Sequence, residues 1–256
     1  MNRITQLFRE GKKNLLSVYF CAGTPTLDGT VEVIRTLERN DVSMIEIGIP
    51  FSDPMADGLV IQNAATRALH NGMSLHLLFE QLKDIRREVR IPLILMGYLN
   101  PILHFGFERF CEECSVCGID GLIIPDLPFD YAETYRQIAE RYDLKIIMLI
   151  TPETSEERVR RIDAQTDGFI YMVSSAATTG EQQDFDENKQ SYFRRIAAMG
   201  LRNPLMVGFG ISNKATFDAA CRYAAGGIVG SRFVTLLEEE QSAEQAIRKL
   251  KESLSQ

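Results

Sequence analysis

The chain holds 256 residues, 45% hydrophobic and 25% charged, with 18 Gly, 9 Pro, 5 Cys and no Trp. That apolar content excludes a disordered chain, and the low cysteine density excludes a disulfide scaffold; the length suits a single domain over residues 1–256, an ordinary size for an α/β barrel. Lys and Arg number 28 against 35 Asp and Glu, a net charge of −7, which is a poor match to nucleic acid or an anionic membrane surface.

The first thirteen residues, Met1 to Lys13, are charged and mixed, without the apolar core of a signal peptide. A short helix is expected at Ile4–Glu10. Strand-like runs follow at Leu16–Tyr19, Met44–Ile47, Leu93–Met96, Gly121–Ile124, Lys145–Leu149, Phe169–Val173, Leu205–Val207 and Gly227–Val229. Between them, Thr30–Asn40, Leu75–Val89, Tyr131–Tyr142 and Glu156–Gln165 carry apolar residues at helical spacing. The strands are near-continuous apolar runs, as parallel strands covered by helices should be. Eight such βα units predict a (β/α)8 TIM barrel, its bottom capped by the N-terminal helix and with little chain to spare. A doubly wound open sheet is the alternative. The most apolar stretch, Ile91–Phe107, is broken by Pro92, Gly97, Asn100, Pro101 and His104, so no membrane span is expected. An odd cysteine count without an export signal points to reduced thiols and a cytoplasmic protein.

In a barrel, catalytic groups sit at or just after the C-terminal ends of strands. Glu46 lies within the apolar run Met44–Ile47. Burial there would raise its pKa toward a value useful for acid–base work, unless a buried Arg or Lys pairs with it. The loop that follows carries Asp53 and Asp57 among prolines and glycines that define its path. Asp53, before Pro54, suits a turn. Asp57, just ahead of a helix expected near Ile61, suits a cap or a site carboxylate. Gly208-Phe209-Gly210 and Gly230-Ser231 follow the last two strands. Glycines there let backbone N–H groups approach an anion, and a helix N-terminus adds partial positive charge, so either phosphate binding or tight βα turns would explain them. The long polar segment from Ser174 to Gln190, with Thr178-Thr179-Gly180, suits a lid.

The motifs GIPFSDPMADG (Gly48–Gly58), YLNP (Tyr98–Pro101), PDLP (Pro125–Pro128), TTG (Thr178–Gly180), GFGIS (Gly208–Ser212) and GS (Gly230–Ser231) together resemble the tryptophan synthase alpha chain family, in that family's order and across nearly the whole chain. The resemblance implies a lyase that cleaves indole-3-glycerol phosphate to indole and glyceraldehyde 3-phosphate. It implies Glu46 as general acid/base and Asp57 as the carboxylate facing the indole N–H. It implies Tyr19, Met96, Tyr98, Ile123, Pro125, Tyr171 and Thr179 around the substrate, and Gly180, Gly208, Phe209, Gly210, Gly230 and Ser231 around its phosphate. It further implies a beta chain as partner in an α2β2 heterotetramer, with pyridoxal phosphate on that partner and no cofactor on this chain. Leu59 stands where Pro is usual, Ser175 where Arg is common and Ala177 where Gly is common, departures that bear on lid closure and partner coupling.

Other chemistry fits poorly. No Lys lies at a strand C-terminus for a Schiff base. The three histidines, His70, His76 and His104, are not clustered, so no metal site is expected. Cys111, Cys114 and Cys117 have iron–sulfur-like spacing but no fourth ligand nearby; on a helix over Phe107–Val116 they read as small packing residues. The competing functions are another phosphate-binding barrel isomerase or synthase of aromatic amino-acid biosynthesis, and a mainly activating, non-catalytic subunit.

Overall fold

The computed structural model describes residues 1–174 and 185–255. In chain order the elements are α1 (Arg3–Arg9), β1 (Leu15–Cys21), α2 (Thr30–Arg39), β2 (Met44–Gly48), α3 (Leu59–His70), α4 (Leu75–Leu82), β3 (Leu93–Met96), α5 (Leu99–Phe105), α6 (Phe107–Cys117), β4 (Gly121–Ile123), α7 (Phe129–Glu140), β5 (Lys145–Ile150), α8 (Glu156–Gln165), β6 (Ile170–Val173), α9 (Glu187–Ala197), β7 (Leu205–Gly208), α10 (Lys214–Tyr223), β8 (Gly226–Val229), α11 (Ser231–Glu240) and α12 (Ala243–Ser255). The strands pair in parallel and in sequence order, and β1 pairs with β8 to close the barrel. Closure settles the choice between barrel and open sheet. Among the described residues no helix is long and apolar enough to cross a membrane.

The N-terminal helix plugs the bottom of the barrel. Ile4 is fully buried. Gly121 and Gly168 leave room for it: a Cβ at Gly121 would lie 2.8 Å from Ile4 Cδ1 and one at Gly168 3.0 Å from Ile4 Cγ2. Asn2 caps α1 and donates its amide to the carbonyls of Asp120 at 2.8 Å and Asp143 at 2.7 Å. The buried Asp120 carboxylate ties the plug to the wall. It accepts from Arg3 Nη1 at 3.1 Å, Arg86 Nη2 at 2.5 Å and the Leu93 backbone N–H at 3.0 Å.

Strand positions match the sequence reading to within one or two residues, whereas the helical layer is richer than expected. The run Leu75–Val89 is not one helix but α4 followed by a 3₁₀ turn, Ile85–Arg87. Arg86 explains the break, because its guanidinium donates to the carbonyls of Gly118, Val89 and Ile91 and holds the chain as a bottom turn. The helix expected at Tyr131–Tyr142 starts at Phe129, directly after Pro128, since proline's fixed φ suits a helix start. The spare chain also proves larger than expected. α5 is inserted after β3, and α12 follows α11 and packs on α11 and α2. Cys111, Cys114 and Cys117 are all buried on α6, with Cys117 Sγ 3.6 Å from the Phe79 carbonyl.

Candidate active site

The C-terminal ends of the strands surround a cavity of about 580 Å³, counted out to where it opens to solvent. Tyr19, Asp57, Met96, Tyr171, Phe209, Gly210, Gly230 and Ser231 line it, so residues from six βα units converge at the barrel mouth. Gly58, Ile61, Ile211 and Arg232 line it as well. Sequence reasoning missed these four, although Gly58 and Ile211 lie inside quoted motifs and Arg232 directly follows Ser231; Ile61, on the first turn of α3, carried no such signal.

Asp57 is built into the wall. The loop after β2 is turned by backbone bonds from Met55 N–H to the Asp53 carbonyl at 2.9 Å and from Asp57 N–H to the Pro54 carbonyl at 3.0 Å, in keeping with a turn role for Asp53. Helix α3 starts at Leu59 with Gly58 as its N-cap and no side-chain cap. Asp57 is therefore not a helix cap. Its carboxylate Oδ2 accepts a 2.7 Å hydrogen bond from the Tyr98 hydroxyl, which itself accepts one from the Ala56 N–H at 2.9 Å. Tyr98 packs against Phe51, with ring centroids 5.4 Å apart. The PDLP loop supports this arrangement, as Asp126 Oδ1 accepts from Leu99 N–H at 2.8 Å at the start of α5. Burial pushes the Asp57 carboxyl up to about 6, with the Tyr98 hydrogen bond opposing the rise.

Glu46 is fully buried in β2, in register with Tyr19 of β1 and Ile94 of β3. It does not line the cavity but lies behind its wall. Among the described residues no Arg or Lys pairs with it. Ser17 Oγ donates to Glu46 Oε1 at 2.9 Å, and Oε2 has no hydrogen-bond partner. Burial pushes this carboxyl up to about 8, the Ser17 bond acting in the opposite direction. Tyr19, its register partner, and Tyr171 of β6 both feel its charge, their phenols held well above the ordinary value by burial and by the nearby carboxylates.

Two strand-end glycines make room for these tyrosines. A Cβ at Gly48 would fall 2.1 Å from the Tyr19 hydroxyl, and one at Gly208 would fall 2.2 Å from that of Tyr171. Gly208 thus serves as a seat for Tyr171 and does not itself line the cavity. Phe209 and Gly210 both take positive φ, 69° and 75°. Left-handed backbone at a residue with a Cβ is strained and must be held by its surroundings. Here Ser174 Oγ donates to the Phe209 carbonyl at 2.7 Å. The cavity edge at Gly230 and Ser231 is the N-terminus of α11, whose partial positive charge favours an anion.

The remaining expected residues are placed differently. Tyr98 reaches the cavity wall through Asp57. Ile123 is fully buried in β4 and does not line the cavity. Pro125 lines a separate groove with Leu127, Phe129 and Arg158. Thr179 and Gly180, like Ser175 and Ala177, fall outside the described residues.

A closed parallel barrel with one carboxyl, Asp57, lining the cavity at its mouth and another, Glu46, buried behind that wall, both pushed upward by burial and set beside a helix N-terminus, defines a (β/α)8-barrel enzyme equipped for acid–base chemistry on an anionic small molecule. The chain matches the family model described as tryptophan synthase alpha chain over residues 5–256. It is 74% identical over 255 residues to the tryptophan synthase alpha chain of Bacteroides thetaiotaomicron, covering 99% of this chain and 100% of that one. To the alpha chain of Flavobacterium johnsoniae it is 57% identical, covering 94% and 96%. A crystal structure of the alpha chain from Legionella pneumophila superposes with a TM-score of 0.86 at 31% identity, covering 100% of this chain and 95% of that chain. A chain in the tryptophan synthase complex from Pyrococcus furiosus gives 0.86 at 34% identity, covering 95% and 98%. The chain belongs to the tryptophan synthase alpha chain family, and its reaction is the lyase cleavage of indole-3-glycerol phosphate.

Proposed function

We propose that Glu46 and Asp57 divide the acid–base work of this cleavage. Breaking the bond between indole and the glycerol chain needs electron flow into the ring. Protonating ring carbon C3 develops positive charge at N1, and a carboxylate beside N1–H stabilises it in a site shielded from water. Asp57 suits this role: it lines the cavity, and the Tyr98 hydroxyl fixes one of its oxygens. The glycerol hydroxyl must lose its proton as the bond breaks. Glu46 takes that proton directly or through one water, its proton affinity having been raised by burial, and passes it to C3, so that the proton the hydroxyl loses is the one the ring carbon gains and Glu46 returns to its starting state. The observation that carries the reading is this pair of carboxyls, both pushed upward by burial, with no cation among the described residues paired to either.

Phe209, Gly210, Gly230 and Ser231 hold the substrate phosphate with backbone N–H groups and the Ser231 hydroxyl, joined by Gly180; Gly208 takes part by seating Tyr171. Tyr19, Met96 and Tyr171 enclose the indole ring, and Thr179 completes the surroundings. Binding energy at the phosphate fixes the reacting bond relative to the carboxyls. The chain acts as one domain over residues 1–256, in the cytoplasm, without a cofactor of its own. It hands indole to a beta chain in an α2β2 assembly, with pyridoxal phosphate on that partner. The Pyrococcus furiosus relative, solved in a tryptophan synthase complex, supports the partnership.

The test is indole release from indole-3-glycerol phosphate by the purified chain, with and without a beta chain. Slow release alone and faster release with the beta chain are expected. No release under either condition refutes the catalytic reading, and no acceleration refutes the partnership.

A further inference from the structure

Strand β1 reads Leu-Leu-Ser-Val-Tyr-Phe-Cys, and its one aliphatic hydroxyl, that of Ser17, is fully buried. A hydroxyl in an apolar strand costs stability unless it is hydrogen-bonded, and Ala or Val would fill such a place without that demand. Among the described residues the side-chain partner of Ser17 is Glu46 Oε1, at 2.9 Å. Ser17 lies two residues before Tyr19, the register partner of Glu46, and does not line the cavity. It therefore meets the substrate only through Glu46.

We propose that Ser17 is a positioning residue for Glu46: it holds Oε1, leaving Oε2 as the oxygen that exchanges the proton, and its donated hydrogen bond keeps the carboxyl ionisable in an otherwise desolvated place. The proposal rests on Glu46 being the base. Hydrogen-bond donation to a carboxylate favours the charged form, whereas burial disfavours it. Both influences meet at Glu46, and burial is the larger. The titratable groups facing Glu46 are Tyr19 from β1 and Tyr171 from β6, with Asp57 beyond them; none of the three is a cation. Ile94, its register partner on β3, is apolar. Among the described residues the Ser17 hydroxyl is thus the group that favours ionisation of Glu46.

The experiment compares wild type, Ser17→Ala, Ser17→Thr and Glu46→Gln. Ser17→Ala removes one oxygen from the strand and no carbon. Its ascending kcat limb is expected to move to higher pH by about one to two units, the size of a charge-assisted hydrogen bond. Below that limb kcat falls at least about tenfold, since one unit is a tenfold change, and KM stays put. Ser17→Thr keeps the hydroxyl and returns the limb toward its original position. Infrared titration of the Glu46 carboxyl band, assigned by its loss in Glu46→Gln, reads the same shift without turnover. An unmoved limb and an unmoved band in Ser17→Ala overturn the proposal while leaving Glu46 as base. Normal turnover in Glu46→Gln overturns the underlying assignment, and the Ser17 proposal with it.

Discussion

Glu46→Gln separates the energetic cost of a buried carboxyl from its use. Burial lifts the Glu46 carboxyl from 4.5 to about 8. The folded protein thus holds this proton more tightly than the unfolded chain does. The associated stability is fully present below pH 4.5, declines as the pH climbs from 4.5 to about 8, and levels off above that. At roughly 1.4 kcal/mol per pH unit, the decline amounts to about 5 kcal/mol. Gln has no charge to desolvate and escapes this decline. Its amide nitrogen, placed where Oε2 has no partner, costs about 1–3 kcal/mol at every pH. The variant should therefore be slightly less stable than wild type at pH 5 and more stable by about 2–4 kcal/mol at pH 9. Other titrating groups are common to both proteins and cancel in the difference. Urea unfolding at the two pH values, followed by far-ultraviolet circular dichroism because the chain has no Trp, measures the effect. An equal stability difference at pH 5 and pH 9 would refute the idea that burial keeps Glu46 protonated to about pH 8.

Three other perturbations test the supporting geometry. Tyr98→Phe removes the hydroxyl that joins Asp57 to the Ala56 N–H; carbon-13 titration should find the Asp57 carboxyl about one pH unit higher, with kcat lower by about tenfold. Asp120→Ala strips Arg86 and the Leu93 N–H of a buried partner; unfolding should cost about 3–5 kcal/mol less, with little change in kcat, because the group lies at the bottom of the barrel. Gly208→Ala would place a Cβ 2.2 Å from the Tyr171 hydroxyl; displacing that ring costs about 1–3 kcal/mol and should appear as a raised KM.

The strands were readable because parallel strands buried on both faces leave continuous apolar runs, as in Lys145–Ile150 and Ile170–Val173. The helical layer was less readable. Arg86 ends α4 through bonds to the carbonyls of Val89 and Ile91 and to that of Gly118, which is distant in sequence, and nothing in the run Leu75–Val89 announces that. Helix α5 was hidden by Pro101, which reads as a breaker although a proline is tolerated in the first turn of a helix. Glu46 stood out as a charge inside an apolar strand. Its placement behind the cavity wall did not, because that depends on Ser17 and Tyr19 of a neighbouring strand. The same applies to Asp57, whose chain position also suited a helix cap until the Tyr98 hydroxyl was found on its carboxylate. Gly48 and Gly208 looked like loop and phosphate glycines, yet each also makes space for a tyrosine ring, a long-range steric demand that local sequence does not express.

The division of labour between the two carboxyls is tested most directly by kcat for indole formation from indole-3-glycerol phosphate, measured at pH 8 with saturating substrate for wild type, Glu46→Gln and Asp57→Asn. Each variant should lose at least about 10²-fold, the scale of a general acid–base group, while remaining folded. Near-normal turnover in either variant would contradict the account.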